Sequence, residues 1–311
     1  MTGNRTRGIY LAILTAIISG VSIFVNKFAV DAIRQPLVFT AVKNSGVAML
    51  IIAGLLISGK WRKVLKVSGK ELISLVAVGI IGGSLPFYLF FTGLASIPAI
   101  NGALIHKTLV LWVAIMAGKV LKEKISKTTL LAVLLLFGAN VLVGGFSGFK
   151  FGTGEILVLA ATILWAAETV LVKKILPKTD PDVLIAARMG FGSLILLSAA
   201  SIFEPAALAK SLILSPSQFF WLGLTTVALW GYVTSWYRAL LAAPATIVTA
   251  VLVGSTLITN ILSAVFITHT FNYLVLVQSL LIMIGIMGLW MTETGRKLFN
   301  KRAIKPAVQP E

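Results

Sequence analysis

Cysteine is absent from this chain of 311 residues, and histidine occurs only twice, as His106 and His269. Disulfides, thiolate nucleophiles and cysteine-ligated metals are therefore excluded, and a histidine-rich metal or redox centre has too few ligands. Charge is also scarce. Charged residues make up 12% of the chain, where a soluble domain carries about a quarter. Acidic side chains are the scarcest of these, with 10 Asp and Glu against 27 Lys and Arg. No Walker A run, HExxH pair, serine triad or phosphate-binding glycine loop occurs, so no cofactor, nucleotide-driven step or catalytic residue is expected.

Apolar sequence fills the space left by charge: 58% of residues are hydrophobic and the mean hydropathy is +0.99. Apolar runs recur from Gly8 to Thr292 with short polar gaps, the pattern of an all-α polytopic membrane protein. Their charged borders predict ten transmembrane helices, at 8–29, 37–58, 71–92, 97–118, 128–145, 154–173, 183–203, 217–238, 243–266 and 272–291. The first follows Arg5 and Arg7 and is longer than a signal-peptide core, so it reads as an uncleaved span.

The net charge of +17 has a simple source in this topology. With the amino terminus in the cytoplasm, twenty of the 27 basic residues fall in inner segments, chiefly the 59–70 and 119–127 loops and the tail. Only Arg34, Lys150 and Lys210 fall outside. That bias predicts two cytoplasmic termini and removes any need for a nucleic-acid partner. The basic segment 293–311 reads as a tail on the membrane surface, with binding of a partner as the sharper alternative.

The chain repeats itself. An offset of 146 aligns Lys27 with Lys173, Phe90-Phe91 with Trp236-Tyr237, and Leu94 to Ala99 with Leu240 to Ala245. One position less aligns Lys43 with Arg188. The two units are 8–147 and 152–292, each with five spans, and because five is odd the repeat is inverted across the bilayer. Such symmetry lets one site between the halves open to either side in turn.

Gly93 to Val143 holds a Pro-containing turn after an aromatic helix, a span, the loop Lys122-Glu123-Lys124 and a Gly-bearing last helix. This stretch resembles the signature of an EamA-type domain. Arg238 to Leu289 repeats it, with Thr268-His269-Thr270 in place of the loop acid. Over nearly its whole length the chain resembles the drug/metabolite transporter superfamily. The resemblance implies a secondary transporter, with export as the favoured direction, in the plasma membrane of a prokaryote. Aromatics beside a basic excess at depth suit an amphipathic small-molecule substrate bearing a carboxylate, such as an amino acid. A lipid or lipid-linked-sugar flippase is the alternative. A membrane enzyme would need clustered carboxylates or histidines, and a scaffold would not account for buried charge on several spans.

Charged side chains near the bilayer centre are costly and usually face a bundle interior. Lys107 lies mid-way along the fourth span, and Glu168 is the one acid deep in any span. Their mutual pairing would reduce the cost of burying both, either as a packing device or as part of substrate binding or proton coupling. Lys43 and Arg188 are repeat equivalents that either reach the interface or line the site, whereas Lys27 is expected to snorkel and His106 to pack. Polar faces on spans one, four, six, eight and nine add Asn101, Trp165, Trp230 and Tyr237 to the candidate cavity. Tyr88 follows a Gly-rich, Pro-containing stretch, Gly79 to Pro86, that reads as a hinge. Spans five and ten carry little polarity beyond Asn140 and Gln278 and read as peripheral, lipid-facing or homodimer-facing.

Overall fold

A computed structural model describes residues 2–32, 35–97, 99–123, 125–143, 152–270 and 273–303. Arg34, Lys124, Lys150, the junction 144–151 and the tail from 304 lie outside the described residues, as do the side chains of Lys27 and of 290–303. All regular structure among the described residues is helical. In lipid this is the arrangement that lets each backbone donor and acceptor find a partner within its own segment.

The first half comprises α1 (Thr2–Ala32), α2 (Pro36–Ile57), α3 (Trp61–Val64), α4 (Gly69–Val78), α5 (Leu85–Leu94), α6 (Ala99–Lys107), α7 (Leu109–Val120) and α8 (Lys127–Val143). The second comprises α9 (Thr153–Ile175), α10 (Pro181–Phe203), α11 (Pro205–Lys210), α12 (Pro216–Ala242), α13 (Ala245–Val253), α14 (Ser255–Ser263) and α15 (Tyr273–Ala303). Capping chemistry sets several starts. Ser68 and Glu71 form a reciprocal capping box at α4, and Ser215 and Gln218 do the same at α12. The Asp180 carboxylate accepts from Asp182 N at the start of α10, where Pro181 occupies a position that needs no donor.

Among the described residues seven helical stretches are long and apolar enough to cross a membrane, which makes the chain a multi-pass membrane protein. They are Arg5–Asn26, Pro36–Ile57, Gly69–Leu94, Asn101–Val120, Thr153–Ile175, Pro181–Phe203 and Ala245–Thr268. The apolar parts of α8 and α15 are shorter, at Lys127–Val141 and Tyr273–Leu289, and α12 has 27 residues of mixed polarity.

Two expectations of continuous helices need correction. The fourth span breaks at Thr108 between α6 and α7, and the ninth at Gly254 between α13 and α14. The breaks share one hydrogen-bond pattern. Thr108 N donates to Ile105 O and Leu111 N to Thr108 O, while Gly254 N donates to Val251 O and Leu257 N to Gly254 O. The three positions of each break correspond at the offset of 146. In the first break the Thr108 hydroxyl also donates to Ile105 O at 2.6 Å, competing for the carbonyl that helix continuation would use. Gly254 weakens the second. The predicted hinge in the third span is a π-helical turn, Gly79–Ser84.

Helix pairing follows the repeat. α1 packs on α12 and its counterpart α9 packs on α5, while α2 meets α10, α7 meets α13 and α8 meets α15. Each contact therefore joins one half to the other. Asn140 and Gln278, the polar exceptions on the fifth and tenth helices, face inward: Gln278 Nε2 donates to Asn140 Oδ1 at 3.4 Å, and Asn260 Nδ2 donates to Gln278 Oε1 at 2.6 Å. A buried amide chain ties α8, α15 and α14 inside the molecule.

Candidate functional site

The glycines of the third span bring α10 against the π turn. A methyl group on Gly79 would lie 2.5 Å from Phe191 Cβ, and one on Gly83 would lie 2.2 Å from Arg188 O. Only a bare backbone fits here, and its fit carries Arg188 into the bundle. Pro86 has no N–H with which to close an α-helical bond to Gly82 O. That carbonyl accepts instead from Trp165 Nε1 and Arg188 Nη2, each at 3.2 Å.

Glu168 sits beside the same turn, 1% exposed. A methyl group on Gly82 would collide with its Cγ at 2.5 Å. Arg188 Nε lies 3.7 Å from Glu168 Oε1, and the Tyr237 hydroxyl donates a hydrogen bond to that oxygen. The Arg188 guanidinium stands 5.7 Å from the Tyr237 ring centroid. Four helical segments thus meet at one buried carboxylate. Arg188 Nε and Nη1 are buried without a hydrogen-bond partner among the described residues.

The expected pairing of Glu168 with Lys107 is corrected, since its cation is Arg188. Lys107 is at the break of the fourth span, with Nζ 3.4 Å from Ser255 Oγ at the break of the ninth. Beside it is a cavity of about 30 Å³ lined by His106, Lys107, Thr249 and Val253 among others. A water fits such a volume and an organic solute does not, so any solute must widen the gap. His106 links the two regions. Its ring lies 5.1 Å from Trp165 and 5.4 Å from Phe90, centroid to centroid, and its Nδ1 has no hydrogen-bond partner among the described residues.

The other sequence candidates are more dispersed. Lys43 is buried with Nζ 4.7 Å from the Phe39 ring centroid, a cation–π contact within its own helix. Asn101 is buried in α6, whereas Tyr88 and Trp230 are each 41% exposed. Among the described residues no hydrogen bond, ion pair or ring contact joins Tyr88 or Trp230 to the carboxylate cluster. Sequence reading overlooked Ser255 and the Gly82 carbonyl. Pro86, four residues after Gly82, was the available signal for the second. A larger cleft of about 450 Å³ opens at the lysine-rich end between Lys63, Lys66, Lys178 and Asp180, away from the interior cluster. Among the described residues no group of His, Asp and Glu is arranged to hold a metal.

Comparison with known proteins agrees with this architecture. The EamA-like transporter family profile matches twice, at residues 6–145 and 152–291. A protein described as an uncharacterized transporter from Methanothermobacter thermautotrophicus is 33% identical over 115 residues. That alignment spans 35% of this chain and 34% of the relative, about a third of either. A solved crystal structure superposes with a TM-score of 0.79 over 94% of this chain and 99% of its own, at 14% identity, and bears on the fold alone.

Proposed function

The chain belongs to the EamA-like transporter family, and we propose that it is a secondary transporter exporting a small amphipathic solute with a carboxylate, such as an amino acid. It works by alternating access between two inverted five-helix repeats, with α8, α12 and α15 completing ten spans. The observation that carries this reading is the meeting of the two helix breaks, where Lys107 reaches Ser255 across the repeat interface. Paired broken helices are where secondary transporters place substrate and coupling ions. Lys107 has a hydroxyl rather than an acid as its neighbour, so its ammonium is available to the substrate carboxylate.

Glu168 is the coupling group in this reading. Substrate at Lys107 pushes on His106 and Trp165, Trp165 shares the Gly82 carbonyl with Arg188, and Arg188 holds Glu168. Displacing Arg188 exposes the carboxylate to a proton, and its return expels that proton. The basic excess of the 59–70 and 119–127 loops supports cytoplasmic termini in a prokaryotic plasma membrane. The outward faces of α8 and α15 are apolar, with Leu131 67% and Leu280 55% exposed, which suits lipid or a second copy of the chain.

The test is reconstitution. Proteoliposomes screened with amino acids should show counterflow of at least one, accelerated by a pH gradient. Glu168→Gln should keep counterflow and lose the acceleration, whereas unchanged acceleration would assign the Glu168–Arg188 pair to structure. Single cysteines at Ser68 and Ser147 test orientation: labelling of 68 but not 147 on intact cells by an impermeant reagent reverses the proposed topology.

A further inference from the structure

The two ends of the bundle are held together differently. At the lysine-rich end, Lys60 Nζ and Arg238 Nη2 each lie 2.6 Å from the Asp182 carboxylate, and Lys63 Nζ lies 2.6 Å from Asp180. At the same end Glu123 caps α13, accepting from Ala245 N at 2.8 Å, Thr246 N at 3.2 Å and the Thr246 hydroxyl at 3.0 Å. A carboxylate there satisfies orphan helix donors and meets the positive end of the helix dipole. Lys60, Lys63 and Glu123 come from the first repeat. Asp180, Asp182 and the α13 terminus come from the second.

An inverted repeat would place the same ties at the opposite end if the halves were alike, but the sequence removes them. At the offset of 146, Lys60 and Lys63 correspond to Ala206 and Ala209, Asp182 to Pro36, Arg238 to Thr92 and Glu123 to His269. An offset of 145 supplies no acid for Asp180 or Asp182 either, giving Gln35 and Leu37. Among the described residues no ion pair lies at that opposite end. Aromatic contacts occur there instead, Phe24 with Phe266 at 6.1 Å and Phe28 stacked on Trp221 at 5.1 Å.

We infer that Asp182 and Glu123 are gating residues that hold the lysine-rich end of the repeat interface shut, so that the resting transporter is closed on that side and the cycle is biased between its two faces. This rests on the alternating-access reading above. Each exposed ion pair alone is weak, but Lys60–Asp182 and Lys63–Asp180 cross the interface beside the three donors that Glu123 holds, and Arg238 steadies Asp182 from within the second repeat, so the ties open as a set. Lys60 is held above its ordinary value by its hydrogen bond and charge contact with Asp182. Burial pushes Asp180 up, but the hydrogen bonds from Lys63 and the Asp182 amide, with the nearby lysine charges, outweigh it and leave the carboxyl below its usual range.

The absence of cysteine allows a direct test with two reporters in the full-length protein, Thr249→Cys on the lysine-rich side of the break and Ser22→Cys towards the other side. Labelling by an impermeant maleimide is measured in vesicles of each orientation. Asp182→Asn and Glu123→Gln should raise labelling at 249 by about five-fold or more and lower it at 22. Exchanging Lys63→Asp with Asp180→Lys should return labelling to the parent level, and this pair keeps the test decisive if another variant folds poorly. Labelling at 249 unchanged in Asp182→Asn, Glu123→Gln and each single member of the exchange pair overturns the gate. A rise at 249 with no fall at 22 supports the gate and counts against reciprocal alternation.

Discussion

Gly83 and Gly192 meet backbone to backbone, such that a methyl group on Gly192 would lie 2.6 Å from the Gly83 carbonyl carbon. No rotamer change relieves that contact, because both sides are main chain. Close helix approach of this kind is a principal means of association in lipid, where no hydrophobic drive separates helix from tail. Gly192→Ala should therefore push α10 away from the π turn and withdraw Arg188 from Gly82 and Glu168. Thermal unfolding in detergent should fall by several degrees, with a larger fall for Gly192→Val. Gly190 faces open space, and Gly190→Ala should leave the melting temperature near the parent value.

The Glu168–Arg188 pair gives a prediction with a double-mutant signature. Arg188→Met strands a carboxylate that is 1% exposed, and removing one partner of a buried pair costs about 3–5 kcal/mol. Adding Glu168→Gln should recover a large part of that loss, since a neutral amide tolerates the dry site. Tyr237→Phe removes one hydrogen bond to Glu168 and should cost about 1–2 kcal/mol. Denaturation of the three variants and the double variant measures the coupling, and additive losses would mean that the groups act independently.

Lys107 should behave in the opposite sense. Its described partner is a serine hydroxyl, so Lys107→Met leaves no acid stranded and should leave the melting temperature unchanged or raised. Substrate affinity in proteoliposomes should drop by about ten-fold or more, the loss of a charge-assisted contact. A stability loss matching that of Arg188→Met, with affinity intact, would place Lys107 in the structural framework instead.

Pro86 provides a backbone test. Restoring an N–H with Pro86→Ala offers Gly82 O an α-helical donor in place of Trp165 and Arg188. The third span should gain regularity and the protein should melt no lower than its parent. Gradient-driven flux should fall because Trp165 and Arg188 lose their common anchor. Unchanged flux would show that the π turn is dispensable.

Apolar runs made the helical membrane fold legible, and the recurrence of Lys27, Phe90 and Leu94 at a fixed spacing made the two units legible, because lipid imposes length and repetition imposes order. Glu168, Arg188, Tyr237 and Trp165 were recognisable as candidates by depth and helical face. Their grouping was not, since which cation reaches Glu168 depends on how closely α10 approaches the third span. Residue composition does not encode that distance, although Gly83 and Gly192 permit it. The helix breaks were hidden for another reason: Thr108 and Gly254 interrupt hydrogen bonding without interrupting hydropathy. The pairing of Asp180 and Asp182 was not legible because the lysines they hold lie more than a hundred positions earlier.

The gate and the coupling carboxylate should separate by pH. The groups facing one another at the lysine-rich end are Lys60, Lys63, Lys66, Lys178, Arg238, Glu71, Asp180 and Asp182, with Glu123 and Lys173 at the α13 terminus. Asp180 is held below its ordinary value, so its contribution is complete above the usual carboxyl range and fades as pH falls through the depressed value, below about pH 4. Lys60 is held above the ordinary 10.5, so its contribution is complete below that value and fades as pH rises through the elevated one. Between about pH 5 and pH 9 these two contributions to the gate should therefore be constant. A spin-label distance across it, from position 66 to position 178, should stay flat over that window and lengthen in stronger acid. Any change in flux within the window then belongs to the interior, and Glu168→Gln should abolish it while leaving the gate distance as flat as in the parent. A gate distance that follows the flux profile through neutral pH would transfer the coupling role from Glu168 to the ion pairs at the surface.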